Sequence, residues 1–245
     1  MTASGKNKSI SIRRRPRVFH VPTYNLSVLP PKLEPMRLAR SPQPFDHPDW
    51  LYEIKFDGFR ALAYVEAGKC RLVSRRRHEY KSFHELCASI ANHLHGHETV
   101  LDGEIVCLDQ YGRSQFKELM FRRRQPFFYA FDLLFLNGED LRSLPLLRRK
   151  ARLRKLIGRR KSRLLYLDHL ESNGSGLYAK ACEFDLEGIV AKWKDGRYVA
   201  DDRRSRGSKS KIHTTASLRG AKNCSNGYSY SGYCTSPVDL KAKMN

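Results

Sequence analysis

The chain has no long apolar run, no paired-cysteine motif and no acidic excess. No segment approaches the roughly 18 apolar residues that span a bilayer, and no signal-peptide pattern opens the chain, so a soluble, cytoplasmic protein is expected. The six cysteines form no CxxC pair and no zinc-like Cys/His spacing. No GxxxxGK[ST] loop occurs, which excludes an ordinary P-loop nucleotide site. These absences leave an intracellular protein with its own hydrophobic core.

Positive charge is what the chain has in excess. Lys and Arg number 46 against 25 Asp and Glu, which gives a formal net charge of +21 over 245 residues. Such an imbalance attracts polyanions over long range. Nucleic acid is therefore the first partner to expect, and an anionic membrane surface is the rival interpretation.

Composition divides the chain into three parts. Residues 1–27 are polar and basic without an apolar period, which predicts a disordered tail. Residues 28–205 hold the apolar patterns of a folded domain, opened by a proline-rich lead-in that favours extended chain. Residues 206–245 are rich in Ser, Gly, Lys and Asn and lack a core period, which again predicts disorder.

Within the folded part, strand and helix patterns alternate irregularly. A capping box at Ser82 and Glu85 predicts a helix start, and Ser114 is a candidate cap for a short helix. Pro145 and Gly158 bracket an Arg- and Leu-rich helix whose outer face is expected to be basic. The predicted strands are 51–55, 60–67, 70–75, 99–108, 127–136, 164–167 and 187–193, and the predicted helices are 83–95, 115–121, 146–157 and 174–183. This mixture predicts an α+β fold with largely antiparallel sheets and flanking helices.

The hexad at residues 55–60, Lys-Phe-Asp-Gly-Phe-Arg, follows an apolar strand pattern. A lysine amine attacks only when it is unprotonated, and apolar walls and neighbouring cations favour that form. Lys55 is therefore a candidate covalent nucleotide carrier. The alternative is a solvated hairpin end, which six residues alone do not exclude.

Three further motifs follow in order. Asp102-Gly103-Glu104 interrupts an apolar strand, Phe131-Asp132 lies within another, and residues 187–192 read Glu-Gly-Ile-Val-Ala-Lys. Polar groups inside apolar strands are unfavourable unless they have partners, so these positions indicate a site. The ordered series resembles the nucleotidyltransferase motifs of ATP-dependent DNA ligases, over roughly residues 28–205.

The resemblance implies an ATP-grasp-like nucleotidyltransferase domain in which two packed sheets hold ATP between them. It implies that Lys55 attacks the α-phosphate and carries AMP as a phosphoramidate. Divalent metal, Mg²⁺ or Mn²⁺, would be held by Glu104 and Glu187. The positions that match nucleotide-contacting residues of the family are Glu53, Arg60, Arg75, Glu104, Phe131 (by stacking on adenine) and Lys192.

The resemblance also implies a substrate and partners. Nicked duplex DNA is the expected substrate of a monomeric enzyme of bacterial repair type, associated with the nucleoid, with a repair polymerase or an end-binding protein as partner. Arg122–Arg124 and the basic helix that runs from Arg148 to Lys161 are candidates to hold DNA phosphates, a mode of contact that carries no sequence information.

The C-terminal part departs from the family pattern. A ligase is expected to continue with a K-x-K strand and an OB-fold domain, and residues 206–245 contain neither. Hypothetical codons can encode residues 206–226 and, read from the last nucleotide of the first codon, give WVKIKNPHYSQLERGEELFE. This reading contains K-x-K, so we predict that the tail is an out-of-frame remnant and that self-adenylation and nick sealing are impaired.

Two other functions stay open at the level of sequence. An RNA ligase or mRNA capping enzyme also uses a lysine of this motif, although residues 131–134 and 187–192 are closer to DNA ligases. A non-catalytic basic DNA-binding remnant would share the charge but not the covalent chemistry.

Overall fold

The structure is a computed structural model that describes residues 1, 29–30, 33–36, 39–41, 43–199 and 215–219, with the side chains of 39–40 and 215–219 left undescribed. The tail predicted at 1–27 lies outside the described residues apart from its first residue, as does most of 206–245. None of the helices in the described part is long and apolar enough to cross a membrane. In chain order the strands and helices are β1 (Ala39–Arg40), β2 (Trp50–Lys55), β3 (Phe59–Glu66), β4 (Lys69–Ser74), α1 (His84–His93), β5 (Thr99–Val106), α2 (Phe116–Met120), β6 (Phe127–Leu136), β7 (Glu139–Asp140), α3 (Leu146–Ile157), β8 (Leu164–Tyr166), β9 (Leu170–Glu171), α4 (Gly174–Glu183), β10 (Gly188–Trp193) and β11 (Thr215–Arg219).

The strands form two sheets. The first sheet has the order β1-β11-β10-β2-β9, and the second has the order β4-β3-β5-β6-β7 with β8 added beside β6. Neighbouring strands are antiparallel except for the β1–β11 and β6–β8 pairs. The predicted α+β class with largely antiparallel sheets is therefore confirmed.

Side-chain alternation gives each sheet one helix-covered face. In the first sheet, Tyr52, Ile189 and Ala191 pack with Leu177 and Ala181 of α4. In the second sheet, β3, β5 and β6 bury a larger cluster against α1 and α3. Because successive strand residues point to opposite faces, the alternate residues of β2, β10, β3 and β5 are turned away from these helices. Those faces carry the polar residues of the predicted motifs.

Two predicted caps are wrong. A 3₁₀ turn at Lys81–Phe83 precedes α1. The N-cap residue of α1 is Phe83, which makes no side-chain capping bond. Ser82 lies inside the 3₁₀ turn and does not cap the helix. The hydroxyl of Ser114 does not cap α2, since its Oγ accepts a hydrogen bond from the Asp57 amide at 3.1 Å. That contact ties the loop before α2 to the loop after Lys55.

Helix α3 has the predicted bounds and the predicted basic outer face, on which Arg148, Arg152, Arg154 and Lys155 are exposed. Pro145 is its N-cap and Gly158 its C-cap, with φ of 61° at the glycine. Arg149 and Lys150, however, are buried at 2% and 1% exposure. Their neighbours on the same face are Leu146, Leu153 and Ile157, so the helical period itself turns both cations inward.

The tail predicted to be disordered contains one described strand. Thr215–Arg219 form β11, which pairs with β10 in antiparallel register from Lys192↔Thr215 to Gly188↔Arg219. An unpaired edge of β10 would leave a row of backbone donors and acceptors, and this short segment satisfies them. The other residues of 206–245, apart from these five, lie outside the described part of the chain.

Candidate functional site

Lys55 and Glu187 meet where β2 ends and β10 begins. Lys55 is the last residue of β2 and lies opposite Gly188, so the chain places Glu187 directly beside it. The Lys55 Nζ atom forms an ion pair with Glu187 Oε1, and the two side chains are 15% and 21% exposed. The candidate nucleophile is thus confined and held by a carboxylate, not solvated at a hairpin end.

A buried ion cluster lies on the same face of the first sheet. Glu53 is two residues before Lys55 and shares its face, and it is 2% exposed. Its Oε2 atom lies 2.5 Å from Lys192 Nζ, while its Oε1 atom pairs with Lys150 Nζ. These cations outweigh the burial penalty and hold the pKa of Glu53 below its ordinary value. Glu53 is therefore an anion with two buried cationic partners.

Arg60 is held by a carboxylate on the neighbouring strand. Its Nε and one terminal nitrogen donate to Asp102 at 2.9 and 2.7 Å. Asp102 is fully buried and also accepts a hydrogen bond from the Tyr198 hydroxyl at 2.7 Å. Despite its burial, the pKa of Arg60 is raised by this ion pair. Asp102 thus fixes the direction of the Arg60 guanidinium.

Phe131 brings the two sheets' polar residues together. Its ring centroid lies 4.1 Å from Lys192 Nζ and 4.9 Å from Arg60 Cζ. Between β5 and β6 the pairing steps from Asp102↔Asp132 to Gly103↔Ala130, so the register passes over Phe131. This irregularity is a β-bulge, a device that re-aims a side chain within a sheet.

Glu104 is a partly buried carboxylate with a strongly shifted pKa. Burial is the largest cause and raises its pKa to about 8, while the charges of Arg60 and Lys55 lower it and those of Asp102 and Glu187 raise it further. With this pKa the Glu104 carboxyl group is largely protonated at neutral pH, and a cation bound beside it would favour the ionised form.

The donor set suits a divalent ion only in part. Among the described residues no group of three or more His, Cys, Asp or Glu side chains is arranged to hold a metal. Mg²⁺ is commonly bound by one or two carboxylates together with substrate phosphates and water. The Glu104 and Glu187 pair fits that mode of binding, in which the nucleotide completes the coordination.

Gly58, in the loop after Lys55, permits a close approach to β5. A Cβ atom at this position would collide with the Ile105 carbonyl oxygen and lie 2.8 Å from a methyl group of Val106. Only glycine leaves room for that approach. The loop is thereby pressed onto the strand that carries Glu104.

Of the predicted site residues, Arg75 is the one that lies on the protein surface, outside the cluster of contacts around Lys55 and Glu53. It is exposed, one residue beyond β4. It is linked to the site through Tyr80, whose pKa is raised by burial and the charge of Glu104 and lowered by the charge of Arg75. The other predicted residues form a chain of contacts and charge interactions from Lys55 to Glu53.

Three partners of the site were not predicted from the sequence. Asp102 was noted only as part of its motif, and Tyr198 had no signal, since it lies after the last predicted strand. Lys150 was predictable, because the spacing of Leu146, Leu153 and Ile157 along α3 already places it on the buried face.

Comparisons with known proteins define the class of this fold and site. Residues 37–211 match the family described as the ATP dependent DNA ligase domain. The match covers well over half of the chain. The chain therefore belongs to the family of ATP-dependent DNA ligase domains, and the resemblance stated from its motifs is confirmed.

Relatives and solved structures agree with this assignment. The "Multifunctional non-homologous end joining protein LigD" of Pseudomonas aeruginosa is 34% identical over 180 residues, which are 70% of this chain and 20% of that protein. The "Bifunctional non-homologous end joining protein LigD" of Bacillus subtilis is 31% identical over 189 residues, 64% of this chain and 30% of that protein. A solved structure of mycobacterial DNA ligase D complexed with ATP and MES has a TM-score of 0.66 at 29% identity, over 76% of this chain and 60% of that chain. The chain thus spans between 20% and 30% of the length of these curated relatives.

Proposed function

We propose that the chain acts as an ATP-dependent DNA ligase domain that forms a lysyl-AMP intermediate on Lys55 and seals nicks in duplex DNA. The observation that carries this proposal is the confined Lys55–Glu187 ion pair beside Glu104. Membership of the ligase family supports the reaction type. The names of the relatives support a role in DNA end joining, with a repair polymerase or an end-binding protein as partner.

Adenylation begins with the Lys55 amine. Its Nζ atom attacks the α-phosphorus of ATP, a nitrogen–phosphorus bond forms, and the bond to the departing pyrophosphate breaks. The amine must give up a proton, and Glu187 Oε1 is already in contact with Nζ to receive it. A divalent ion bound at Glu104 and Glu187 would neutralise charge on the phosphates and the leaving group.

The remaining residues bind and orient the nucleotide. Lys192 supplies a buried positive charge for the phosphates, and Glu53 supplies a carboxylate acceptor for the base or ribose. Phe131 offers an aromatic face for adenine. Arg60 and the exposed Arg75 are assigned to the nucleotide and the DNA ends, for which a planar guanidinium with several donors is suited.

Two more steps complete sealing. An oxygen of the DNA 5′-phosphate attacks the AMP phosphorus, and the bond to Lys55 Nζ breaks. The neighbouring 3′-hydroxyl then attacks the 5′-phosphorus, loses its proton and releases AMP. Exposed arginines such as Arg122–Arg124 and Arg148 are assigned to the DNA phosphates.

The test is covalent labelling. The chain is incubated with α-labelled ATP and MgCl₂ and then separated by denaturing electrophoresis. We expect weak label on the natural chain, none on Lys55→Arg, and unchanged label on Lys69→Arg, a matched change at an exposed lysine of β4. Label that persists on Lys55→Arg would contradict the proposed nucleophile. Sealing of nicked DNA compared with nicked RNA then separates a DNA ligase from an RNA ligase.

A further inference from the structure

Lys150 is a buried lysine that no motif accounts for. It lies on α3, is 1% exposed, and directs its ammonium at the base of the site. It donates to Glu53 Oε1, to the Leu167 carbonyl oxygen at 3.0 Å and to the Phe131 carbonyl oxygen at 3.4 Å. Its three donors therefore link α3 to β2, to β6 and to the segment after β8.

The Glu53 carboxylate is divided between two lysines. One oxygen contacts Lys150, and the other lies 2.5 Å from Lys192. The three side chains carry two positive charges and one negative charge, which leaves the cluster with a net charge of +1. Without Lys150 the Glu53–Lys192 pair would be neutral, and the attraction of Lys192 for an anionic ligand would be cancelled.

We propose that Lys150 is a positioning residue for the nucleotide: it orients the Glu53 carboxylate and preserves a positive charge at Lys192. The proposal rests on the proposed function, in which Glu53 and Lys192 contact ATP. Lys150 itself acts through these two residues. Its bond to the Phe131 carbonyl also fixes the backbone of the residue assigned to adenine stacking.

A purely structural role for Lys150 makes a different prediction, and the neighbouring residue provides the control. Arg149 is equally buried at 2% exposure, but it bonds to Asp132 at 2.8 and 2.9 Å and to the Gly196 carbonyl oxygen at 3.0 Å. Removing Arg149 weakens the same helix-to-sheet packing without touching Glu53. A loss of function specific to Lys150 therefore reports on the Glu53 cluster.

The first measurement is the affinity of the full chain for ATP with MgCl₂, by isothermal titration at a temperature where each variant is folded. We expect Lys150→Met to weaken ATP binding roughly tenfold, about the effect of losing one charge near the ligand. Lys150→Arg should stay within about threefold because it keeps the charge. Arg149→Met should lower the melting temperature with unchanged affinity. Equal losses in Lys150→Met and Arg149→Met would overturn the inference.

The second measurement uses no nucleotide. Carbon-13 NMR follows the titration of the Glu53 carboxyl group, whose pKa is held low by Lys150 and then Lys192 against burial. In Lys150→Met its midpoint should move to higher pH, and in Lys150→Arg it should stay low. An unchanged titration midpoint of Glu53 in Lys150→Met would contradict the inference. If the natural chain binds no ATP, the proposed function fails, and this titration still decides whether Lys150 controls Glu53.

A third measurement works even if Lys150→Met does not fold. Burial lowers the pKa of Lys150, although Glu53 and Asp132 oppose the shift. The groups that face it are Glu53 of β2, Lys192 of β10, Asp132 of β6, Tyr166 of β8 and His169. At alkaline pH the natural chain should lose ATP affinity earlier than Lys150→Arg, whose guanidinium stays charged. Identical pH profiles for the two proteins would rule the proposal out.

Discussion

The Arg60 guanidinium and the Asp102 carboxylate form two parallel hydrogen bonds, 2.9 and 2.7 Å long, between adjacent strands of the second sheet. Asp102 is fully buried, and the Arg60 side chain is 14% exposed. Removing one partner of such a buried ion pair strongly destabilises the fold, because the remaining charge is buried without its partner.

Asp102→Asn should therefore destabilise the domain by about 3 kcal/mol, a fall in melting temperature of roughly 5–10 °C. The matched control is Asp140→Asn. Asp140 also pairs with an arginine, Arg142, but the two side chains are 46% and 32% exposed, and such pairs contribute less than about 1 kcal/mol. Thermal unfolding followed by circular dichroism measures both. Similar falls in melting temperature in the two variants would show that the buried pair contributes no more stability than the exposed pair.

Gly58→Ala should both destabilise the fold and weaken ATP binding. The added methyl would collide with the Ile105 carbonyl oxygen and push the loop after Lys55 away from the strand of Glu104. Overpacking of this kind costs about 1–3 kcal/mol. Gly68→Ala, where the added methyl meets open space and only the φ of +72° opposes it, should cost about 1 kcal/mol and leave ATP affinity unchanged. An unchanged affinity in Gly58→Ala would show that the loop does not set the site.

Stability should fall in mildly acid solution because of His169. Burial, followed by the charge of Lys150, lowers the pKa of His169 from 6.5 to about 4. Between these values the unfolded chain binds a proton that the folded chain does not, so stability is lost as pH falls from about 6.5 to 4. After allowance for partial exposure, His169 should account for about 1–2 kcal/mol of that loss.

His169→Gln should therefore flatten the decline in melting temperature between pH 7 and pH 4. His78→Gln, at an exposed position, serves as its control and should follow the natural chain. A decline as steep in His169→Gln as in the natural chain would assign the acid sensitivity to other groups.

The reading frame of the tail has a direct functional test. Replacing residues 206–226 with WVKIKNPHYSQLERGEELFE restores a K-x-K strand, whereas β11 contains no lysine. Added cations near a reacting phosphate stabilise its developing charge, so labelling by ATP should increase at least about tenfold. Equal labelling of both chains would contradict the prediction that the present tail impairs adenylation. A gene sequence incompatible with the alternative frame would contradict the prediction that the tail is an out-of-frame remnant.

The sequence predicts the elements better than the contacts between them. Strand β6 and helices α3 and α4 have the bounds that apolar periodicity and turn residues indicate, since these signals are local. The two serine caps were wrong because Ser82 lies within a 3₁₀ turn and Ser114 is bound by the Asp57 amide. Such a choice depends on a loop that is distant in sequence.

The site follows the same division. Lys55, Glu187 and Phe131 could be named as candidate site residues because each belongs to a motif with a fixed order along the chain. The bulge at Phe131 and the Glu53–Lys150 pair could not be predicted from the sequence, because both depend on how strands and helices align in space. The inward face of α3 was readable from its leucine spacing, whereas the prediction from its Arg and Lys content concerned only its basic outer face.

The antiparallel register between β2 and β10 has a consequence for how the enzyme can fail. A slip of β2 by one residue against β10 would turn Glu53 and Lys55 toward α4 and bring Tyr52 into the polar cleft, while Lys192 kept its face. The apolar contacts of Tyr52, Ile189 and Ala191 with Leu177 and Ala181 therefore hold both strands in the register that places the proposed nucleophile in the cleft. Substitutions on this apolar face of α4, away from the proposed ATP site, should therefore impair adenylation as strongly as loss of Lys55.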